Sequence, residues 1–593
     1  MYRVTKLRWR RRVRNRRRQV EGLSVTAEES FDKHFIRRLL RLAEVRRFVA
    51  GWLTLIILLA GIVIIQTRAL AGYYQTLTPV PGGIYTEGVI GTLTNANPLF
   101  ASSMVDTTVS KLLFASLLNR DEHNNLTGDL AEKWSLDKTN TIYTVVLKPN
   151  LVWQDGSKLT ADDVVFTYQS AQNPDVKSPL FASWREVSIA KVDERTVTFT
   201  LKAPFAPFIN SLLTGIIPMH LLQKVDPSQL RSVSFNTNKP VGAGPFMWQT
   251  LEITGNNTDA REQHIGLIAN PKYNGGRPKL DQFVIKAFLT KDRMLTAFNE
   301  RRIDAAVGLD KLPDELKNSS VSAYETPLTA INMAFFLNDP PGPLSDKKVR
   351  TALVEAADTP AAIKSLGFPV IKSDEPVLKD SFAYDPAYKQ AGKNIDQANH
   401  LLDDAGWPKS NSGIRQKADK DLTLTLLGLN NYDNTVVAKS LQQSWASVGV
   451  KVNVVLQDDQ DLQSSVSNRS YDVLLNAISM GTDPDSYAFW HSSQADKRSP
   501  NRLNFSDYTS ETADKALDGG RTRVEVPLRT AKYKPFLQAW QTDNPALALY
   551  QPRFLYVTRG KLFFYNPTTL NSSTDRLNNV QNWMIRQSNT VIR

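Results

Sequence analysis

Eighteen consecutive residues, Phe48 to Ile65, carry no charge, and this run limits what the rest of the chain can be. As an α-helix rising about 1.5 Å per residue it covers about 27 Å, and interfacial Gln66 and Thr67 extend it to match a hydrocarbon core of about 30 Å. A buried core helix keeps one polar face, and this run shows none. Residues 48–67 are therefore expected to be a transmembrane anchor. Arg37, Arg38, Arg41, Arg46 and Arg47 crowd one flank, whereas the other has Arg68 and then nothing basic until Lys111. The positive-inside rule puts residues 1–47 in the cytoplasm and the chain beyond about Leu70 outside. Ala69-Leu70-Ala71 has the small-x-small form of a signal-peptide cleavage site, but the residues before the apolar run outnumber those of an ordinary basic n-region, which favours an uncleaved anchor. Residues 68–81, with Pro79 and Pro81, are expected to be a stalk.

The net charge of +13 is not spread evenly. Residues 1–47 hold 16 Lys/Arg and 5 Asp/Glu, which leaves 56 and 54 for everything that follows. The basic character thus belongs to an N-terminal arm with Arg8, Arg10, Arg11, Arg12, Arg14, Arg16, Arg17 and Arg18. A cluster beside a membrane span suits anionic lipid headgroups, and an arginine run encodes no base-specific readout, so no specific nucleic-acid partner is expected. The chain has no cysteine, which excludes disulfides, thiolate catalysis and Cys-ligated metal. His34, His123, His220, His264, His400 and His491 are scattered without metal-ligand spacing. No HExxH, GxSxG or phosphate-loop motif occurs. Neither an enzyme nor a resident cofactor or metal is expected.

With 593 residues the chain exceeds one compact domain. Strands are predicted at Ile142 to Leu147 and around Val197, Phe199 and Leu201, where apolar and polar residues alternate. Ser345 is placed to cap a helix carrying Val349, Ala352, Leu353 and Ala356 on one face. A second helix begins near Ile395 and stops at Gly406-Trp407-Pro408. A third carries Val437, Leu441 and Val448 and ends at Gly449, with the strand Val450, Val452, Val454 and Leu456 directly after it. Such helix-glycine-strand units indicate a layered α/β or α+β protein.

Three blocks carry more specific information: Asn97-Pro98-Leu99-Phe100, Gly128-Asp129-Leu130-Ala131-Glu132-Lys133-Trp134, and the long stretch Leu147-Lys148-Pro149-Asn150-Leu151-Val152-Trp153-Gln154-Asp155-Gly156 through Asp162-Asp163-Val164. Pro240-Val241-Gly242-Ala243-Gly244-Pro245-Phe246, Asn270-Pro271-Lys272-Tyr273, Asp404-Ala405-Gly406-Trp407-Pro408 and Asp483-Pro484-Asp485 follow in order. Over roughly residues 82–570 the chain resembles family 5 of the bacterial extracellular solute-binding proteins, which includes dipeptide, oligopeptide and nickel receptors of ABC importers. The resemblance implies an α/β, two-lobed periplasmic-binding-protein-like fold of type II with an extra subdomain, closing on ligand by hinge motion. Lobe I would comprise residues 82–107, 236–325 and 548–593, the extra subdomain 108–235, and lobe II 326–547.

The implied function is the substrate-binding component of an ABC importer: a monomer that captures a short peptide and delivers it to a permease with its ATPase subunits. A membrane-anchored sensor without transport, or a receptor for a nickel chelate, haem or sugar, is the alternative. A receptor for peptides must satisfy an ammonium and a carboxylate removed from water. In the family a Trp and one or two Asp often face the ligand after the strand matching Tyr471 to Leu475. Here the Trp position holds Ile478 and the earlier Asp position falls near Gly481, which leaves Asp483 and then Asp485 as candidate partners of a ligand amine. Asp483 reads equally as a helix N-cap. Tyr487 reads as pocket lining or core. Asn97, Phe100 and Asp106 lie on a loop that borders the cleft in the family. Trp153 is expected to pack, and Val241 to Pro245 to shape a crossing strand near the hinge.

Overall fold

The computed structural model describes residues 46–255, 261–317, 320–496, 498–499 and 502–591. The described chain falls into two compact units, one ending at Thr78 and including Gln587 onward, the other Pro79–Arg586. The basic arm, including Arg8 to Arg18, lies outside the described residues.

In the first unit Arg46–Tyr74 is a single α-helix. Its segment Phe48–Ala69 is long and apolar enough to cross a membrane, and large apolar side chains such as Phe48, Ile57 and Ile65 stand exposed around it. The hydroxyls of Thr54 and Thr67 bond back into the helix, Thr54 Oγ1 to Ala50 O and Thr67 Oγ1 to Val63 O, each at 2.8 Å. That leaves few polar groups needing water, the condition a bilayer imposes. The expected stalk is structured: the helix continues to Tyr74, and Gln75–Val80 then forms a strand paired with Arg586–Val591.

Two large sheets organise the second unit. The first has seven strands in the order Val321–Pro327, Arg553–Arg559, Ala305–Val307, Ile84–Ile90, Gln282–Phe288, Glu262–Ala269 and Phe246–Thr254. Ile84–Ile90 is its parallel centre, flanked by Gln282–Phe288 and Ala305–Val307. The second has six strands, Ile371–Lys372, Ala546–Gln551, Ala330–Phe336, Val473–Ser479, Thr423–Leu429 and Lys451–Gln457. Ala330–Phe336 is buried throughout. Ile331, Met333 and Phe335 enter one apolar core and Ala334 and Phe336 another, as the twofold alternation of a strand covered on both faces requires.

A four-stranded antiparallel sheet of residues 131–200 shares a continuous core with the first large sheet. Its alternation is the one read from sequence: Tyr143 pairs with Phe199 and Val145 with Val197, all buried.

The chain passes between the large sheets at Leu328-Thr329 and again at Pro552. These crossings lie side by side, with Leu328 N donating to Pro552 O at 2.8 Å and Gln551 Nε2 to Leu328 O at 2.8 Å. Strand Val321–Pro327 stays in the first sheet and Ala546–Gln551 in the second, so the expected breaks at 325/326 and 547/548 each cut a strand. Proline at 552 offers no N–H to a ladder and marks the second crossing more closely than any shift in composition.

Other local expectations need correction. Helix Lys347–Ala356 is capped by Asp346, whose carboxylate accepts from Lys348 N at 2.8 Å, while Ser345 belongs to the preceding 3₁₀ turn and donates to Gly342 O. Val241 to Pro245 does not form a crossing strand. Gly242 N donates to Gln154 Oε1 at 3.0 Å and Gly244 N to Leu113 O at 2.8 Å, which clamps the end of helix Met104–Leu113. A Cβ on Gly242 would lie 1.9 Å from Leu113 O, so only glycine fits this close approach. Trp153, fully buried, packs in the same core.

Candidate ligand-binding cavity

A cavity of about 560 Å³ lies between the two large sheets. The second sheet contributes the loop Ser479 to Asp485, which leaves the end of strand Val473–Ser479 and turns at Gly481 with φ of +63°. The first lobe contributes Lys111 near the end of helix Met104–Leu113, Asn119 and Arg120 from the following strand, and the segment Asn571 to Asn578. A smaller cavity of about 260 Å³ shares Met480 to Asp483 with the first.

Both candidate aspartates face the cavity, and each is held by an arginine. Arg529, in the first turns of helix Val526–Asp543, grips Asp483 through two parallel bonds, Nη2 to Oδ1 at 2.6 Å and Nη1 to Oδ2 at 2.7 Å. The pair is nearly dry, with side chains 5% and 17% exposed. Burial, the largest influence on Arg529, lowers its pKa, but the hydrogen bonds and charge of Asp483 outweigh it and the net direction is upward. Asp483 Oδ1 also accepts from Asp485 N at 3.0 Å. The next helix, Tyr487–Trp490, starts at Ser486 without a side-chain cap, so Asp483 is not its N-cap.

Asp485 Oδ2 accepts from Arg521 Nη2 at 3.0 Å. Burial raises the pKa of Asp485, against the opposing charge of Arg521. Tyr487 stands behind the wall of the cavity, its ring 3.9 Å from the Arg521 guanidinium and stacked on His491 at 4.1 Å. Phe205, from the first lobe, covers the same guanidinium at 4.7 Å.

Three other sequence candidates are framework. Asn97 is fully buried, accepting from Leu99 N and donating to Asn236 Oδ1 at 3.1 Å. Phe100 is buried in the core beneath Arg231. Asp106 is buried and spends its carboxylate on Thr94 N, Thr94 Oγ1 and Asn95 N at 2.6 to 3.0 Å. Their neighbours Pro98, Ala101 and Thr107 line the cavity instead.

Sequence reasoning missed Lys111, Arg120 and Asp575. Lys111 Nζ donates to Asn119 Oδ1 at 2.7 Å. Arg120, 6% exposed, donates to Asn124 O and Asn210 Oδ1 at 2.6 and 2.5 Å. Burial lowers the pKa of both cations, and Asp575 is the first charge opposing it in each case. Asp575 completes a capping box with Ser572, and that Ser-x-x-Asp spacing was the one available signal. Among the described residues no cluster of His, Asp and Glu is arranged to hold a metal ion.

Residues 125–499 match the pattern of the bacterial extracellular solute-binding proteins, family 5, middle region, and the chain belongs to that family. Its members are non-enzymatic binding proteins of transport systems. The chain is 28% identical over 488 residues to the oligopeptide-binding protein AppA of Bacillus subtilis, covering 80% of this chain and 87% of that one. The solved structure of B. subtilis AppA with a nonapeptide matches at TM-score 0.69 and 26% identity, over 86% of this chain and 100% of AppA. NikZ from Campylobacter jejuni, in complex with Ni(L-His), matches at TM-score 0.72 and 25% identity, over 85% and 99% of the chains. The architecture is accordingly the two-lobed α/β binding-protein fold.

Proposed function

We propose that this chain is the membrane-anchored substrate-binding component of an ABC importer. It captures short peptides in the interlobe cavity and delivers them to a permease and its ATPase subunits. The observation that carries this reading is a cavity of about 560 Å³ walled by both lobes, with the fixed carboxylates of Asp483 and Asp485 on one side and the cations of half-buried Lys111 and buried Arg120 on the other. That volume lies within the roughly 300–1,000 Å³ typical of small-ligand sites, and opposed charges suit a zwitterion. The side-by-side crossings at Leu328-Thr329 and Pro552 are the natural hinge. Asp483 serves as a preorganised acceptor for the ligand ammonium through the remaining lone pair of Oδ2, with Asp485 second. Asn97, Phe100, Asp106 and Tyr487 act by holding the walls. Helix Phe48–Ala69 tethers the binding lobes outside the cytoplasm. The oligopeptide complex of AppA supports a peptide ligand.

Native mass spectrometry of the full chain, extracted from membranes in mild detergent, tests this reading. A ladder of short peptides on the purified protein is expected. A metal chelate of the kind held by NikZ, or a sugar, would remove peptide uptake. Retention of the protein in the membrane after alkaline carbonate washing is expected of the anchor, and release would point to a cleaved leader. Copurification with an ABC permease, rather than with a cytoplasmic signalling protein alone, separates import from sensing.

A further inference from the structure

The contacts that join the two lobes differ in kind from those inside each. Among the described residues ion pairs form within a lobe: Asp483 and Asp485 are held by arginines of the second lobe, and Arg553 faces Glu325 of the first. Across the gap, cations meet ring faces instead. Arg553 and Lys311 of the first lobe lie over Phe368 and Tyr432 of the second, at 3.6 and 4.5 Å. Both adjoin the crossing at Pro552, since Arg553 is the next residue and its Nη2 donates to the carbonyl of Asp310, beside Lys311, at 3.3 Å. The third such contact shares no residue with the crossings. Arg521 ends helix Glu511–Arg521 of the second lobe, and its guanidinium lies over Tyr487 of that lobe at 3.9 Å and over Phe205 of the first lobe at 4.7 Å. Both rings are anchored. Phe205 packs against the core of the first lobe and its carbonyl accepts from Tyr143 Oη at 3.5 Å, while Tyr487 packs against a core of the second lobe and stacks on His491 at 4.1 Å. Arg521 Nη2 donates to Asp485 Oδ2 at 3.0 Å, and both Asp485 and Pro207, two residues from Phe205, line the cavity.

We propose that Arg521 and Phe205 form a latch that holds the lobes closed over the cavity and favours closure equally for any ligand. This rests on the reading of the interlobe cavity as a ligand site that closes by hinge motion. Rotation about the crossings leaves the contacts of Arg553 and Lys311 nearly in place, because they adjoin the axis, whereas separating the lobes pulls Phe205 from Arg521. A ring as the moving partner makes the latch reversible. An ion pair broken on opening would strand a dry charge, but Arg521 keeps Asp485, which belongs to its own lobe, and Phe205 exposes only an uncharged face. The planar guanidinium suits a ring better than an ammonium does, and the contact is a modest bias rather than a lock. A protein whose closed fraction is raised by groups of its own binds every ligand of that state more tightly by the same factor.

The chain has no cysteine, so nitroxides attached at Lys202→Cys in the first lobe and Lys515→Cys in the second report the distance between lobes in the full chain in detergent. Both lysine side chains are largely exposed, at 72% and 75%. Double electron–electron resonance is recorded with and without added trialanine, and trialanine binding is measured by calorimetry. Phe205→Leu removes the ring and keeps an apolar side chain, whereas Arg521→Lys keeps the charge beside Asp485 and loses the planar face. Each should move the closed-to-open ratio toward open by about twofold to thirtyfold, and raise the trialanine dissociation constant by up to the same factor. The thermal midpoint should stay near that of the parent, and Arg521→Lys carries the test alone should Phe205→Leu misfold. Distance distributions that match the parent's in both variants would overturn the latch, even if affinity fell. A shift in Arg521→Lys alone, with Phe205→Leu folded and unshifted, would overturn it too, because the ring would then not be the partner. A shifted ratio in proteins that do not bind trialanine would uphold the latch and sink the peptide reading.

Discussion

Replacing Asp483 by Asn separates two roles that the structure gives one side chain. The carboxylate accepts two bonds from Arg529 in a pair whose side chains are 17% and 5% exposed, so little solvent screening discounts it. Removing one member of a buried pair costs about 3–5 kcal/mol, because the other charge stays buried and unmatched. Asparagine keeps one acceptor oxygen and turns an amide donor toward the guanidinium, so the expected loss is about 3 kcal/mol. Arg529→Met should cost a similar amount. The double variant should recover at least about 2 kcal/mol as coupling energy. Urea unfolding followed by tryptophan fluorescence, in constant detergent, measures this. Midpoint shifts are compared because a chain of several lobes need not unfold in one step. Trialanine affinity is read on the same variants. If Asp483 also receives the ligand ammonium, affinity falls about fivefold to a hundredfold in Asp483→Asn and stays low in the double variant. Additive losses in the double variant would refute the buried-pair argument, and unchanged affinity would remove the ammonium role.

Stability should also depend on pH through Glu375, which is fully buried with Oε1 lacking a hydrogen-bond partner. Burial raises its pKa to about 7. Because the folded pKa lies above that of the unfolded chain, the native state holds the proton longer, and stability falls as pH rises from about 4.5 to about 7. Glu375→Gln should flatten that limb and gain roughly 2–3 kcal/mol at pH 8; a parallel pH profile would refute the assignment. Asp433, raised to about 6 by burial, leaves a smaller slope in that variant. Gly242→Ala drives a methyl to 1.9 Å from Leu113 O and should cost at least about 3 kcal/mol. Gly392→Ala, with nothing within 4 Å, should stay within about 0.5 kcal/mol in the same melt.

Periodicity and short-range chemistry made much of the architecture legible. The alternation through Ile142 to Leu147 became a half-buried strand, the apolar run from Phe48 became one long helix, and the residues from Asn97 to Asp485 carried the family resemblance. The same local rules failed where two neighbours competed for one role, as with Ser345 and Asp346 at a helix start. They also gave no sign of the strand Gln75–Val80, which lies within residues 68–81 and pairs with Arg586–Val591, more than 500 positions along the chain.

The candidate site divides along the same line. From sequence alone came the loop that carries Asp483 and Asp485 and the loop around Asn97, because both are written in contiguous residues. Which side chains face the cavity was decided only by tertiary structure. Arg529 meets Asp483 from 46 residues away and Arg521 meets Asp485 from 36, while Asp106 turns inward to satisfy the backbone at Thr94 and Asn95. Lys111 and Arg120 carry no local signature, since a cation in an apolar stretch reads as a solvated exception until the fold removes its water. A carboxylate or ammonium has no fixed role in sequence, because its energy depends on which opposite charge folding brings within about 3 Å and on how much solvent is left there.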